Sequence, residues 1–369
     1  MKTATLALRG LVHRWRTGLA TVAGAAVATA VLVAALGAGD SVRASLRAIA
    51  LSRLGRTEYA LEGGERFFRN ALAEEVAARF GGEAASIVAV TGSASVRGGE
   101  IRVPSVQVLG IGRDFGAFVA DGAAAGDPIA SPVPMPGEVL LNELLARRLN
   151  ARPGDEVLLR MPAATTMPAE APLAAGADGT STLRLTVAAV VPDSSLGDFS
   201  LRIGGSQPLN AFVSREALAD RIGRPGRSNT ILLAPPPNRG LADVEAALQA
   251  AFRLADAGLS LRRVENGWEL ASDRVFIEPP VENAVLAAGG SGVLTYFVAR
   301  ISHGSRSIWY SFVTSGTAPR VPVGLADDEV ILNIWAASEL GARAGGTVEL
   351  AYRVPGADGT LEERTAVFR

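Results

Sequence analysis

Cysteine is absent from the 369-residue chain, which removes disulfides, thiol nucleophiles and cysteine-based zinc sites at once. Histidine is nearly absent as well, with only His13 and His303. Acid–base chemistry near neutral pH leans on histidine or on tuned carboxylates, so two scattered histidines offer neither a triad nor a His-rich metal site. Lysine occurs once, at Lys2, and every other cation is arginine. With the high alanine content this reads as coding bias, not function. A net charge is missing too: 36 basic residues face 37 acidic ones, for a formal −1. No basic field points to nucleic acid. A cysteine-free chain suits an oxidising compartment and the cytosol equally, so the compartment must be read from elsewhere.

What stands out instead is an apolar run. No charged residue occurs from Thr17 to Gly39, and these 23 residues suffice to cross a hydrocarbon core, which needs roughly 20. A secretory signal peptide is the rival reading, with an apolar stretch of about 7–15 residues before a small-residue cleavage site. Ala35-Leu36-Gly37 fits such a site, but the run is too long, which favours an uncleaved anchor. Lys2, Arg9, Arg14 and Arg16 precede the run, while Arg43, Arg47, Arg53 and Arg56 follow it, so near-flank charge is balanced. Long domains cross regardless of charge, so the short N-terminal side is assigned to the cytoplasm. Leu8, Leu11, Val12 and Trp15 recur at helical spacing, opposite Arg9, His13 and Arg16. Residues 5–16 are therefore either an elbow helix lying on the membrane or a plain basic flank. Ala20, Gly24 and Ala28 form a small-residue stripe, a pattern that so alanine-rich a segment produces by chance.

Beyond Gly39 helical and strand-like runs alternate, which predicts an α+β fold: one N-terminal transmembrane helix and a mixed α/β extracytoplasmic domain. Residues 40–51 extend the first helix outward, with Val42, Leu46 and Ile49 on one face. Phe68, Leu72, Val76 and Phe80 predict an amphipathic helix over 65–80. Strands are expected over 86–96, 101–111, 183–191 and 229–233. Pro235-Pro236-Pro237 breaks the chain before a helix over 241–254.

The chain also repeats itself. Residues 138–159 and 329–350 align without a gap, with 11 of 22 positions identical, among them Asn142/Asn333, Leu149/Leu340 and Gly154/Gly345. A common Gly-Ala-Asp-Gly-Thr follows each copy, at 176–180 and 356–360. The unit reads as a short strand, an asparagine N-cap, a helix of two to three turns, a glycine turn and a second strand. Such strand-helix-turn-strand units suggest a scaffold, with Asn142 and Asn333 as caps and not catalysts. The first copy continues through Leu185–Val191, whereas the second reaches only Thr365–Arg369 of the matching strand. That would leave an unfinished sheet edge, so the chain is expected to be part of a longer one.

Several stretches together resemble one family. Leu8-Arg9-Gly10-Leu11 and Arg16–Thr21 are similar to the opening of MacB/FtsX-like ABC transporter permeases, and Gly39–Leu46 to the start of their extracytoplasmic core. Gly137–Glu143 with Arg152-Pro153-Gly154-Asp155 resembles their recurring core unit. Val191-Pro192-Asp193 with Gly197–Leu201, and Val293–Tyr296 with Tyr310-Ser311, complete the series. The resemblance implies a permease subunit, or a piece of a large duplicated member, in the bacterial inner membrane. It implies a cytoplasmic ABC ATPase as partner, coupled to movements of the periplasmic domain for export or mechanotransmission. Membrane lipid is implied around the span, with room for periplasmic partner proteins and a homodimer. The later membrane helices of such permeases have no counterpart here, which leaves open a membrane-anchored periplasmic adaptor or binding module without transport activity. The expected divisions are 1–16 (elbow), 17–39 (transmembrane helix), 40–135 (first part of the core), 136–320 (first repeat unit and following subdomain) and 321–369 (second repeat unit, truncated).

Other motifs carry less. There is no Gly-x-x-x-x-Gly-Lys-Ser/Thr, hence no P-loop in the chain. Gly110-Ile111-Gly112-Arg113-Asp114-Phe115-Gly116 misses the dinucleotide spacing by one residue and reads as a strand-end turn. Gly289-Gly290-Ser291-Gly292 lacks the final glycine of a nucleophile elbow. Residues 283–299 are uncharged, but glycines interrupt them, which favours a helix and turn over a second span. Glu74/Glu75 and Asp327/Asp328 read as solvated pairs. No catalytic, cofactor-binding or metal-ligating residue is expected, and an anchored hydrolase has no motif behind it.

Overall fold

The computed structural model describes residues 13–96, 101–119, 133–162, 180–202, 206–264, 267–274, 277–316, 321–322, 324–355 and 361–369. Most of the elbow over 5–16 lies outside them, as do the Gly-Ala-Asp-Gly-Thr stretches, Thr180 excepted. The chain divides into two compact units, the first up to Ala163 and from Thr180 to Phe252, the second Ala164–Gly179 with Arg253–Arg369.

The first unit begins with a single unbroken helix, α1 (Trp15–Leu54), of 40 residues. At 1.5 Å per residue it is about 60 Å long, roughly twice the thickness of a hydrocarbon core. Among the described residues its apolar part packs against nothing else, and it is the one helix long and apolar enough to span a membrane. Within that part Thr21 and Thr29 turn their hydroxyls back onto the carbonyls of Thr17 and Ala25, which satisfies both donors inside the helix.

After α1 come β1 (Tyr59–Glu62), β2 (Phe68–Arg69), α2 (Ala71–Phe80), β3 (Glu83–Val96) and β4 (Arg102–Ile111). The first repeat supplies β5 (Glu138–Asn142), α3 (Glu143–Leu149), β6 (Glu156–Pro162) and β7 (Thr180–Val191). The unit ends with β8 (Asn210–Ser214), α4 (Arg215–Arg221), β9 (Arg227–Ser228), β10 (Thr230–Ala234) and α5 (Leu241–Ala251). Eight strands form one sheet in the order β1-β10-β3-β4-β8-β5-β7-β6, and β6 also pairs with β3. The 14 residues of β3 make this possible: its first half pairs β10, and Ser93–Val96 reach Arg160–Val157 of β6. Six strands therefore close into a ring. Phe115, Phe199 and Phe212 gather in a core with residues of β3, β4, β5, β8 and β10, Phe115 and Phe199 in edge contact at 5.4 Å between ring centroids.

The helix predicted over 65–80 is shorter. Phe68 and Arg69 instead form β2, paired with Ser228 and Arg227 of β9, and the helix starts at Ala71. All four phenylalanine, leucine and valine positions of the stripe are nevertheless buried, against Ile231, Leu233 and Val244. A strand and a helix in tandem can present the same apolar face, so periodicity alone missed the break. The helix after the triple proline likewise ends at Ala251, with Phe252 extended and a 3-10 turn over Leu254–Ala257. Glu75 is not simply solvated, since it pairs with Arg69 at 2.9 Å.

The second unit contains a hairpin of β11 (Leu259–Val264) and β12 (Gly267–Ser272), then α6 (Pro279–Ala287). A four-stranded antiparallel sheet follows, ordered β14-β13-β15-β16, from β13 (Val293–His303), β14 (Arg306–Gly316), β15 (Val348–Pro355) and β16 (Leu361–Phe368). The uncharged stretch 283–299 is thus the end of α6, a glycine turn and the start of β13, as its glycines suggested. The second repeat contributes α7 (Ile334–Leu340), packed through Ala336 and Leu340 on Ile301, Ile308 and Leu350. The asparagine caps are formed in both copies: Asn142 accepts from the N–H of Leu145, and Asn333 from that of Ala336. Gly154 and Gly345 both hold the positive φ their turns require. One element differs. The first strand of the second copy, 329–333, is not a regular strand: the first copy pairs all of Glu138–Asn142 with β7, whereas here the backbone bonds to Arg369 come from Asp328 and Val330.

Candidate functional site

The residues of interest lie where α1 meets its own core. Among the four arginines that follow the apolar run, Arg43 is exposed and pairs with Asp40, one turn away. Arg53, one residue from the end of the helix, is buried. Its Nε donates to Oδ2 of Asp198 at 3.3 Å, and one terminal nitrogen donates to the carbonyl of Ser206 at 3.2 Å. The two charged side chains are only 7% and 12% exposed. Burial pushes the Asp198 carboxyl above its ordinary value, and the nearby Asp193 adds to that, while the Arg53 guanidinium opposes both.

The loop that carries Asp198 is the stretch Val191–Phe199. It leaves β7 through Pro192, makes a 3-10 turn over Asp193–Ser195, and passes Leu196 in the left-handed region, at φ 60. A leucine there is uncommon and implies that the surroundings hold it. They do so in two ways. Asn210, fully buried, donates from Nδ2 to the carbonyls of both Gly197 and Phe199, at 2.9 and 2.8 Å. The N–H of Asn210 in turn donates to Oδ1 of Asn142, the cap of the first repeat. A continuous chain of hydrogen bonds thus runs from α3 through Asn142, Asn210 and the Asp198 loop to Arg53 of α1.

The turn out of α1 completes the joint. Gly55 sits at φ 55, and a side chain there would collide with the carbonyl of Phe118 and the methyls of Leu196. The N–H of Arg56 donates to that same Phe118 carbonyl at 3.0 Å, and the Arg56 guanidinium reaches the carbonyl of Ala117 and the carboxylate of Glu83. Two residues on, the N–H of Glu58 bonds Leu233 of β10 and the chain enters β1. No slack intervenes between the helix and the sheet.

The Gly110–Gly116 stretch is indeed a strand-end turn. Asp114 lies under Arg215 of α4, their atoms 2.7 Å apart, and accepts from the N–H of Ser86, which ties the turn to β3. Of the two histidines, His303 bonds the carbonyl of Thr347 within the second unit. Among the described residues no group of three His, Cys, Asp or Glu side chains is placed to hold a metal ion.

Comparison with known families places this architecture. The profile of the MacB-like periplasmic core domain matches residues 18–251, which takes in both α1 and the first unit. The match spans well over half of the chain, and the protein belongs to this family. It is similar, at 12% identity and a TM-score of 0.32, to the periplasmic region of MacB from Actinobacillus actinomycetemcomitans, over 62% of this chain and 91% of that one. It is similar, at 12% identity and a TM-score of 0.30, to the extracellular domain of the noncanonic ABC-type transporter YknZ from Gram-positive bacteria, over 58% of this chain and 100% of that one. No curated protein sequence matches it. The Val191–Leu201 stretch, one carrier of the family resemblance, is the socket for α1. Sequence reasoning singled out that stretch without its role, and counted Arg53 merely as a flanking charge.

Proposed function

We propose that the chain is the membrane-anchored portion of a MacB/FtsX-type ABC permease. In this reading α1 crosses the cytoplasmic membrane, both compact units lie outside the cell or in the periplasm, and a cytoplasmic ABC ATPase moves the helix. The observation that carries the proposal is the rooting of α1. A helix that merely tethers a domain can join it through a flexible link, whereas this one enters the sheet through a buried ion pair and a glycine turn with no slack. A displacement of the helix therefore displaces the ring of strands. The scaffold carries no chemistry of its own in this reading; it transmits movement, for export or for action on a periplasmic partner.

Two experiments test it. Because the chain has no cysteine, single cysteines report topology cleanly. In spheroplasts, a membrane-impermeant maleimide should label Glu74→Cys, whereas Thr5→Cys should react only after lysis. The reverse pattern would overturn the orientation. Affinity purification from detergent-solubilised membranes of the source bacterium should recover an ABC ATPase. Recovery of other partners without any ATPase would instead support the adaptor reading.

A further inference from the structure

The likeness of the two units reaches beyond residues 138–159 and 329–350. In the first unit the hairpin β3–β4 is antiparallel, and near its tip β3 also pairs with β6, with Ala94 opposite Leu159. In the second unit the hairpin β13–β14 does the same with β15, and Ile301 stands opposite Leu350. Leu159 and Leu350 are equivalent residues of the repeat, so the two hairpins dock in one register. Each docked strand then pairs with the next, Val157 opposite Leu185 and Val348 opposite Phe368. The following backbone bond agrees as well: Thr186 N–H to Gly137 carbonyl at 2.9 Å, Arg369 N–H to Asp328 carbonyl at 2.8 Å.

The hairpins also share a distortion. Ala94 pairs with Val103 and Ile301 with Ile308, and two residues further on Ser105 and Tyr310 both lie in the left-handed region, at φ 56 and 59. Such a backbone is uncommon away from glycine, above all for a bulky side chain. Four non-glycine residues among those described have a positive φ, and this matched pair is two of them. A third, Asn150, ends α3 as Gly341 ends α7. Upstream the order of elements continues to agree. β1 leads to α2 and β12 to α6, each helix with a glycine of positive φ just past its end, Gly81 at 77 and Gly289 at 82.

We infer that residues 268–369 are a second copy of the scaffold over 59–186, one that takes no membrane helix at its entry strand. The division of the chain then falls before β11 and not at residue 320. Aligning Tyr59 and Leu61 with Trp268 and Leu270 brings Phe67 onto Phe276 without a gap, and sets Arg262 and Val264 where Arg53 and Gly55 stand. Neither does what its counterpart does. Gly55 turns at φ 55, a conformation that a β-branched valine avoids, and Val264 instead ends the regular strand β11. Arg262, its side chain 65% exposed, pairs across the hairpin with Glu269 at 2.9 Å, whereas Arg53 is buried against Asp198. A strand, β11, thus stands before β12 where a helix stands before β1. A movement of α1 enters the chain through the first scaffold, and the second has no drive of its own. The family profile, which ends at residue 251, covers the rooted copy alone. The duplication holds whether or not an ATPase moves α1.

Both parts are tested on the full chain in detergent, which has no cysteine to remove. Cysteine pairs are placed at equivalent points, Ser95→Cys with Leu158→Cys and Ser302→Cys with Glu349→Cys. Opposed strand residues come within disulfide reach and diagonal ones do not. Each pair should therefore oxidise at least about fivefold faster than its control, in which Arg160→Cys or Ala351→Cys replaces the second member. Loss of that preference at Ser302 would overturn the copy. Arg53→Ala and Arg262→Ala are then compared by calorimetry. Arg53→Ala should lower a melting transition by several degrees, whereas Arg262→Ala, which removes only an exposed pair, should shift none by more than about 2 °C. A larger shift for Arg262→Ala would mean a rooted second copy and overturn the inference, a result that stands even if Arg53→Ala does not fold.

Discussion

Replacing Arg53 by alanine strips the charge partner from a carboxylate that is only 9% exposed as a residue. Breaking a buried ion pair from one side costs about 3–5 kcal/mol, because the remaining charge stays buried and unpaired. For a folded unit of this size each kcal/mol lowers Tm by roughly 2–4 °C, so the first unit should melt about 6–20 °C lower. The loss should shrink at acid pH. Arg53 is what holds the Asp198 pKa down against burial and Asp193. Without it the carboxyl takes up a proton more readily, and the cost falls to that of a neutral buried group. The assay must be calorimetry or far-ultraviolet circular dichroism. Trp268, Trp309 and Trp335 are in the second unit and Trp15 is on the apolar helix, so tryptophan fluorescence is blind to this core. The Asp198→Asn and double variants complete a cycle whose coupling should exceed about 1 kcal/mol, within the range found for contacting pairs. A Tm change under about 2 °C for Arg53→Ala, less than the loss of even one kcal/mol would give, or a coupling indistinguishable from zero, would refute the reasoning that the helix is rooted by this pair.

The wild-type pH profile carries its own sign. Asp198 has a native pKa above its ordinary 3.8, so the native state holds that proton more tightly. Its contribution to stability is therefore fullest below 3.8 and falls as pH rises through the native pKa. Asp198→Asn should flatten that part of the profile, and an unchanged profile would assign the dependence elsewhere. Gly55→Ala should destabilise by about 1–3 kcal/mol in denaturant titrations, since its φ and the Phe118 carbonyl both oppose a side chain. Asn142→Ala, which loses a cap and two buried bonds, should cost about 2–4 kcal/mol, whereas Asn333→Ala should cost only about 1 kcal/mol, that of the cap alone. Equal costs would mean that the two asparagines share one environment.

Local physics wrote much of the fold into the sequence. The apolar run, the asparagine caps, the turn glycines and the strand patterns each depend on residues within one turn or one strand, and each is found in the structure except the first strand of the second repeat. The boundary at Phe68 was not legible, because an apolar face continues unbroken across a change of backbone. The closure of the ring was not legible either. It rests on β3 being long enough to pair with two different strands on one side. The joint was hidden for a different reason: Arg53 and Asp198 are 145 residues apart, and nothing local distinguishes a buried arginine from its exposed neighbours. The one available signal was the run of Pro, Asp, Gly and Asp between Val191 and Phe199, which marks a shaped loop but not its occupant.

The unbroken course of α1 also fixes a rotation. At about 100° per residue, ten turns separate Thr17 from Arg53 and five separate Ala35 from it, so the three share one azimuth. Gly24 and Ala28 fall within about 20° of the same line. The flank of the helix that is rooted in Asp198 is therefore also the flank that presents small side chains along the apolar run. Turning α1 about its own axis, and not only pushing it, would be felt at the socket. A single residue inserted between Gly39 and Ser52 would put these two flanks out of phase by about 100° while lengthening the rod by only about 1.5 Å.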